Sequence, residues 1–146
     1  MIAQDIQRVP ILPDEKINPD VLALLKQYPR INVYTVLAHS PAVCKPWIDM
    51  INGIYSSGLP ARIREIALVR IGAKTHAEYE LHQYHFIALK NGVTEEEIQA
   101  IIHETTVTSL DEEGNLICRT VDELQKKFSL SDEVFEELKN PQATGT

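Results

Sequence analysis

Eight stretches of this chain have apolar residues at helical spacing, and helix start and stop signals lie at their ends. Asn18 followed by Pro19, Thr94 and Ser131 are start signals, and Asn91 followed by Gly92 is a stop signal. Only the short stretch 105–108 resembles a β-strand. We therefore predict an all-α fold with helices at 19–25, 32–38, 42–56, 61–72, 75–90, 95–104, 116–128 and 131–139.

The length and composition fit one globular domain. The chain has 146 residues, 44% of them hydrophobic and 24% charged, which is enough to bury a core without disulfides or metals. Three of the eight prolines fall near the start of the chain, so we expect residues 1–17 to form an extended arm. We expect the tail, 140–146, to be frayed.

The charge of the chain disfavours two classes of partner. The formal net charge is −7, the isoelectric point is near 5.2, and no cluster of Lys and Arg is present. A nucleic-acid backbone or an anionic membrane surface would need such a cluster, so we expect neither as a partner. The first residues lack the pattern of a secretory signal, and no apolar run has the length of a membrane span. These features predict a cytoplasmic protein.

The two cysteines, Cys44 and Cys118, are far apart in sequence and form neither a CxxC motif nor a metal-ligand spacing. This pattern indicates reduced thiols rather than a disulfide framework, and each cysteine is interpreted as a small buried apolar residue.

The stretch 59–102 contains several short motifs in a fixed order. An R-x-R-E start at Arg62 is followed by the run Glu78-Tyr79-Glu80, by an Ala-x-x-x-Gly close at Ala88 and by a helix that begins TEEEI. In order and spacing these motifs resemble the carboxymuconolactone decarboxylase family, which includes the alkyl hydroperoxidase D proteins. The resemblance covers about residues 5–140 and is strongest to members without the cysteine motif.

The resemblance also indicates where a site should be. Peroxidase members carry a Glu, a CxxC pair and a His, whose positions correspond here to Glu65, Ala77, Glu80 and Tyr84. Decarboxylase members also tend to have a His at the position of Tyr84. Only Glu65 keeps the family residue, and a nearby histidine, His82 or His85, could take the vacant role.

The resemblance implies a compact fold of the alkyl hydroperoxidase D type, in which the helix pair 61–72 and 75–90 is completed by other subunits of a homotrimer or hexamer. It also implies acid–base chemistry on a small carboxylated or lactone-like molecule, by a decarboxylase or a related lyase or isomerase. Two alternatives stay open: an antioxidant protein of the hydroperoxidase type without the dithiol, and a non-catalytic oligomer that binds a small ligand or a protein. No cofactor is expected.

Glu65 has two interpretations. It shares a helix face with Leu68, Val69 and Gly72, so burial would raise its pKa toward that of a general acid or base. Alternatively, an ion pair with Arg62, three residues earlier, makes Glu65 a structural anion.

The next predicted helix carries the other candidates. Glu80 and Tyr84, four residues apart, form either one wall of a pocket or a structural hydrogen bond. His85 is either a proton shuttle or a histidine held at an edge or subunit contact. Glu78, His82 and His85 have a spacing that metal ligands can adopt, but a solvated pair of Glu78 and His82 is the favoured interpretation, so no metal site is predicted. The predicted catalytic residues are thus Glu65, Glu80, Tyr84 and His85.

Overall fold

A computed structural model describes residues 9–140 of the chain. These residues form eight α-helices and no strand, which confirms the prediction of an all-α fold. The helices are α1 Pro19–Leu25, α2 Asn32–Leu37, α3 Pro41–Tyr55, α4 Ala61–Thr75, α5 Glu78–Lys90, α6 Glu95–His103, α7 Glu112–Lys127 and α8 Asp132–Lys139.

Several helices begin as the capping residues predict. The Asn18 side chain accepts hydrogen bonds from two backbone amides at the start of α1, and Ser131 caps α8 in the same way. Thr94 and Glu97 form a reciprocal capping box at the start of α6. These starts therefore follow capping signals in the local sequence.

Two boundaries differ from the prediction. Helix α4 continues past Gly72 to Thr75 and ends at His76, whose backbone is left-handed with φ at 53°. Helix α7 begins four residues before the predicted position, because Asp111 accepts a hydrogen bond from the amide of Gly114 and so acts as the N-cap.

The contacts between residues divide the chain into two compact units, 1–57 and 58–146. In the first unit α1, α2 and α3 enclose a small core of Ile17, Val21, Ala38, Cys44 and Ile48. Within the predicted arm, Asp14–Lys16 form a 3₁₀ turn rather than extended chain, and Ile17 joins that core. Residues 1–8 of the arm and 141–146 of the predicted tail lie outside the described residues.

In the second unit α4 lies at the centre and packs against α5, α6 and α7, while α8 packs against α7. Ile63, Ile66 and Val69 of α4 meet Ile98 and Ile101 of α6 in the core. Because α4 has neighbours along several faces, its charged residues cannot all point to solvent. None of the helices in residues 9–140 has both the length and the apolarity needed to cross a bilayer.

Candidate functional site

Three charged residues of α4 are buried, which is unusual for residues that water solvates so strongly. Glu65 is 0% exposed, Arg70 is 1% exposed and Arg64 is 7% exposed. Each therefore needs a partner within the protein or pays a desolvation cost. The partners of these residues define the candidate site.

Glu65 is bonded to its chain neighbour. Nε of Arg64 donates to Oε1 of Glu65 at 3.0 Å, and Nη2 of Arg64 lies 2.9 Å from the same oxygen. The other oxygen, Oε2, is enclosed and has no hydrogen-bond partner among the described residues. Oε1 thus has a hydrogen-bond partner, whereas Oε2 can carry a proton or contact a ligand atom.

The pKa of Glu65 is raised above its usual range. Burial is the largest cause, because it removes the water that stabilises the carboxylate, and the hydrogen bond and charge of Arg64 oppose it. A raised pKa favours the protonated carboxyl, which can donate a proton, and the carboxylate that remains can accept one.

The ion pair between Arg62 and Glu65, one of the two interpretations of Glu65, does not form. Arg62 instead forms a salt bridge with Glu97 of α6 and another, at 3.0 Å, with Asp111 at the start of α7. These carboxylates are both N-terminal capping groups, so Arg62 ties α4 to the starts of two other helices. Glu65 pairs instead with Arg64.

The contact between Gly72 and Leu81 sets the register of α4 against α5. A Cβ atom built on Gly72 would lie 3.0 Å from Cδ2 of Leu81, so the two helices approach closely here. The two helices are antiparallel and joined by only two residues. Glu65, seven residues before Gly72, is therefore level with Ala88, seven residues after Leu81.

The same register places the other three predicted residues at different heights along α5. With a rise of about 1.5 Å per residue, Tyr84 and His85 lie about one helical turn from the level of Glu65, and Glu80 lies about 12 Å from it. Glu80 is exposed, whereas Tyr84 is half-buried against the core. Within one chain, Tyr84 and His85 are thus nearer to the level of Glu65 than Glu80 is.

His85 contacts the next helix. Its Nε2 lies 2.9 Å from Oε2 of Glu95, in the first turn of α6, and its ring packs edge-on against Phe86. The His82 ring also packs edge-on against Phe86, with centroids 5.3 Å apart. Among the described residues, no group of three or more His, Cys, Asp or Glu side chains is arranged to hold a metal ion.

Four surface depressions of the described chain are lined by residues other than Glu65, Glu80, Tyr84 and His85. In the single chain, therefore, the Glu65 carboxyl is enclosed by protein. A substrate would reach it only if the surrounding side chains moved.

Sequence reasoning did not single out Arg70 or Tyr79. Arg70 donates to Oδ1 and Oδ2 of Asp122 at 2.8 and 2.7 Å and to the carbonyl oxygens of Ile101, Glu104 and Thr105. The available signal was its position directly after Val69 on the buried face of α4. The enclosed hydroxyl of Tyr79 lacks a hydrogen-bond partner within residues 9–140, and no sequence signal indicates this.

Both cysteines are buried and reduced. Burial raises the pKa of the Cys118 thiol to about 12 and also raises the pKa of Cys44. Because the thiolate is the reactive form, both thiols are poor nucleophiles in the folded chain.

The described residues thus define a class of all-α proteins with a central antiparallel helix pair, α4 and α5, and a buried carboxyl group on α4. A family model described as the carboxymuconolactone decarboxylase family matches residues 41–114, just over half of the chain, and the chain belongs to this family. The matched range includes α3 to α6 and all four predicted catalytic residues. Searches of the curated proteins and of the solved structures found no match.

Proposed function

We propose that the protein is an enzyme that uses Glu65 as a general acid and base on a small carboxylated or lactone-like molecule, in a decarboxylation or a related lyase or isomerase reaction. The observation that supports this most is the enclosed Glu65 carboxyl, with a raised pKa and an unpartnered Oε2. Membership of the carboxymuconolactone decarboxylase family supports the substrate class.

In a decarboxylation the bond between the carboxylate carbon and its neighbour breaks, and its electron pair stays on the substrate as an enolate. Carbon dioxide leaves, and the protonated carboxyl of Glu65 delivers a proton to the substrate carbon. Arg64, bonded to Oε1, then stabilises the resulting Glu65 carboxylate until a proton from solvent restores it.

The remaining predicted residues have supporting parts in this proposal. Tyr84 and His85, about one turn from the level of Glu65, would orient or polarise the substrate. Glu80 is exposed and lies about two turns away, so a reaction that uses both carboxyl groups requires Glu80 from another subunit.

The test is the rate of carbon dioxide release from carboxymuconolactone by the full chain and by Glu65→Gln. The glutamine keeps the shape of the side chain but cannot transfer a proton. We expect the rate per folded molecule to fall by roughly a hundredfold or more. Asp122→Asn is the matched control, because it weakens another buried ion pair of α4, with Arg70, and should lower stability while sparing the rate.

A second candidate is a non-catalytic oligomer that binds a small ligand or a protein. It is favoured by the complete enclosure of Glu65 and by the engagement of His85 with Glu95. In that case Glu65→Gln changes the melting temperature, and the chain shows no turnover of carboxymuconolactone above that of heat-denatured protein. This pair of results would refute the enzymatic proposal.

A further inference from the structure

The first unit contains a cavity that none of the candidate catalytic residues lines. It lies beside the 3₁₀ turn, α1 and α2, and has a volume of about 140 Å³. A cavity of roughly 150 Å³ lined by apolar side chains is large enough to hold a single benzene ring. The space therefore suits one small ring.

The lining of this cavity is mostly apolar. Ile17, Leu22 and Leu25 contribute aliphatic surface, and Tyr28 and Tyr34 contribute aromatic surface. Water in such a space finds few polar partners, so an apolar group replaces it with a gain in free energy.

The aromatic wall is held in place before any ligand arrives. The Tyr28 hydroxyl accepts a hydrogen bond from Nδ2 of Asn52 at 2.9 Å. The Tyr34 ring packs against Tyr28, with centroids 5.4 Å apart, and edge-on against Trp47, with centroids 6.2 Å apart. A wall fixed in this way loses little conformational entropy when a ring docks on it.

The rim carries more positive than negative charge, although the whole chain is negative. Lys26, Arg30 and Asp14 line the cavity, and an ion pair of 3.1 Å joins Arg30 to Asp14. The two partners of that pair are 65% and 45% exposed, so the pair is weak and can exchange with another anion. Lys26 is exposed and belongs to no ion pair among residues 9–140.

We propose that this cavity binds a small aromatic monocarboxylate, with its ring against Tyr28 and Tyr34 and its carboxylate at Lys26 and Arg30. The aromatic wall favours a ring and the volume matches one ring. The rim has two cations and one carboxylate, so its one excess positive charge matches a single carboxylate on the ligand. Glu65 does not line this cavity, and the proposal does not depend on the proposed reaction.

Benzoate is the probe, and the full chain is titrated with it by calorimetry. Trp47 is the only tryptophan of the chain and packs on the cavity wall, so its fluorescence, excited at wavelengths that benzoate does not absorb, reports binding at this place. We expect benzoate to bind and to change the Trp47 emission, and benzamide and benzylammonium to bind more weakly. Equal binding of benzamide, or no binding of benzoate, overturns the proposal.

Two variants locate the site. Lys26→Gln should weaken benzoate binding about two- to fivefold, the size expected when one exposed ion pair is lost. Lys16→Gln is the matched control, since Lys16 is exposed in the same unit and does not line the cavity. Leu22→Phe should fill the space and abolish binding. If Leu22→Phe fails to fold, the comparison of Lys26→Gln with Lys16→Gln decides, and equal affinities of those two variants overturn the proposal.

Discussion

In the folded chain the Glu65 carboxyl is enclosed, whereas in the unfolded chain it is surrounded by water. The folded pKa is raised, so the folded state binds the proton more tightly than the unfolded state does. Stability is therefore expected to fall as the pH rises from about 4.3, the usual pKa of a glutamate, through the raised folded pKa.

This decrease should be absent in Glu65→Gln, because an amide does not titrate. The measurement is the free energy of unfolding by urea at several pH values between 4 and 8. Relative to the native chain, Glu65→Gln should become more stable as the pH increases. Parallel curves for the two proteins would show that Glu65 has an ordinary pKa.

The buried thiols give a second prediction for single residues. Cys118, with a pKa of about 12, should stay protonated in the folded chain, and stability should fall as the pH rises from about 9 toward 12. At pH 8 we expect a thiol reagent such as DTNB to label neither Cys44 nor Cys118 until the chain unfolds, when both react. Rapid labelling of one thiol in the native chain, with thiol-dependent peroxide turnover, would instead support the antioxidant alternative.

Single residues also show where sequence reasoning fails. The spacing of Arg62 and Glu65 suits an ion pair within one helix. In the structure Arg62 instead forms ion pairs with Glu97 of α6 and with Asp111, the N-cap of α7. Burial of Glu65 was indicated by its apolar neighbours on the helix face. The competing partners lie more than thirty residues away in sequence, where local spacing carries no information.

At the scale of helices, Arg70 joins three elements. Its guanidinium donates to both carboxylate oxygens of Asp122 on α7 and to carbonyl oxygens at the end of α6, and at 1% exposure it has almost no contact with water. Removing it takes the two-point partner from Asp122, which keeps a longer ion pair of 3.5 Å with Lys74, and takes a donor from the carbonyls of Ile101 and Glu104. Arg70→Met should therefore destabilise the fold by about 3–5 kcal/mol.

Arg70→Lys should cost less than Arg70→Met, since it keeps the charge but loses the two-point contact. The control is Arg119→Met, because Arg119 is 42% exposed and pairs with Glu137 near the surface. That change should cost less than about 1 kcal/mol. Chemical denaturation monitored by circular dichroism measures all three. Similar losses for Arg70→Met and Arg119→Met would contradict this account.

Helix boundaries were predicted well where the cap was recognised in the sequence, as at Thr94, and poorly where the cap was missed or where packing decides. Thr94 and Glu97 were identified as a capping box, and the structure contains one. The predicted helix ended at Gly72, yet this residue lies inside α4, where Leu81 leaves little room for a larger side chain. The start of α7 was predicted at 116 because the Asp111 cap, which accepts a hydrogen bond from the amide of Gly114, was not identified.

At the scale of the whole molecule, we predict a homo-oligomer. Ile71 of α4 and Phe86 and Leu89 of α5 are exposed on the helix pair, and exposed apolar groups of this size favour association. The family resemblance implies three or six subunits. Light scattering after gel filtration should give three or six times 16.5 kDa.

Phe86→Glu should lower this mass, because it places a charge on the helix pair. Phe135→Glu is the matched control, since Phe135 of α8 is similarly exposed, at 52% against 55%. A monomeric native chain at micromolar concentration would contradict the prediction. Equal masses for the two variants would exclude the α4 and α5 surface as the interface.

Phe128 follows the last residue of α7, has a left-handed backbone with φ at 56° and is 90% exposed. Chymotrypsin cleaves after aromatic residues, and exposed connections between helices are the places where a protease reaches the chain most easily. A brief digestion should therefore cut first at this point and separate α8 from the rest of the chain. After such a cut, the fragment that contains α8 would stay on α7 only by non-covalent packing, in which the buried Val134 takes part. Preparations exposed to proteases therefore need checking by mass spectrometry.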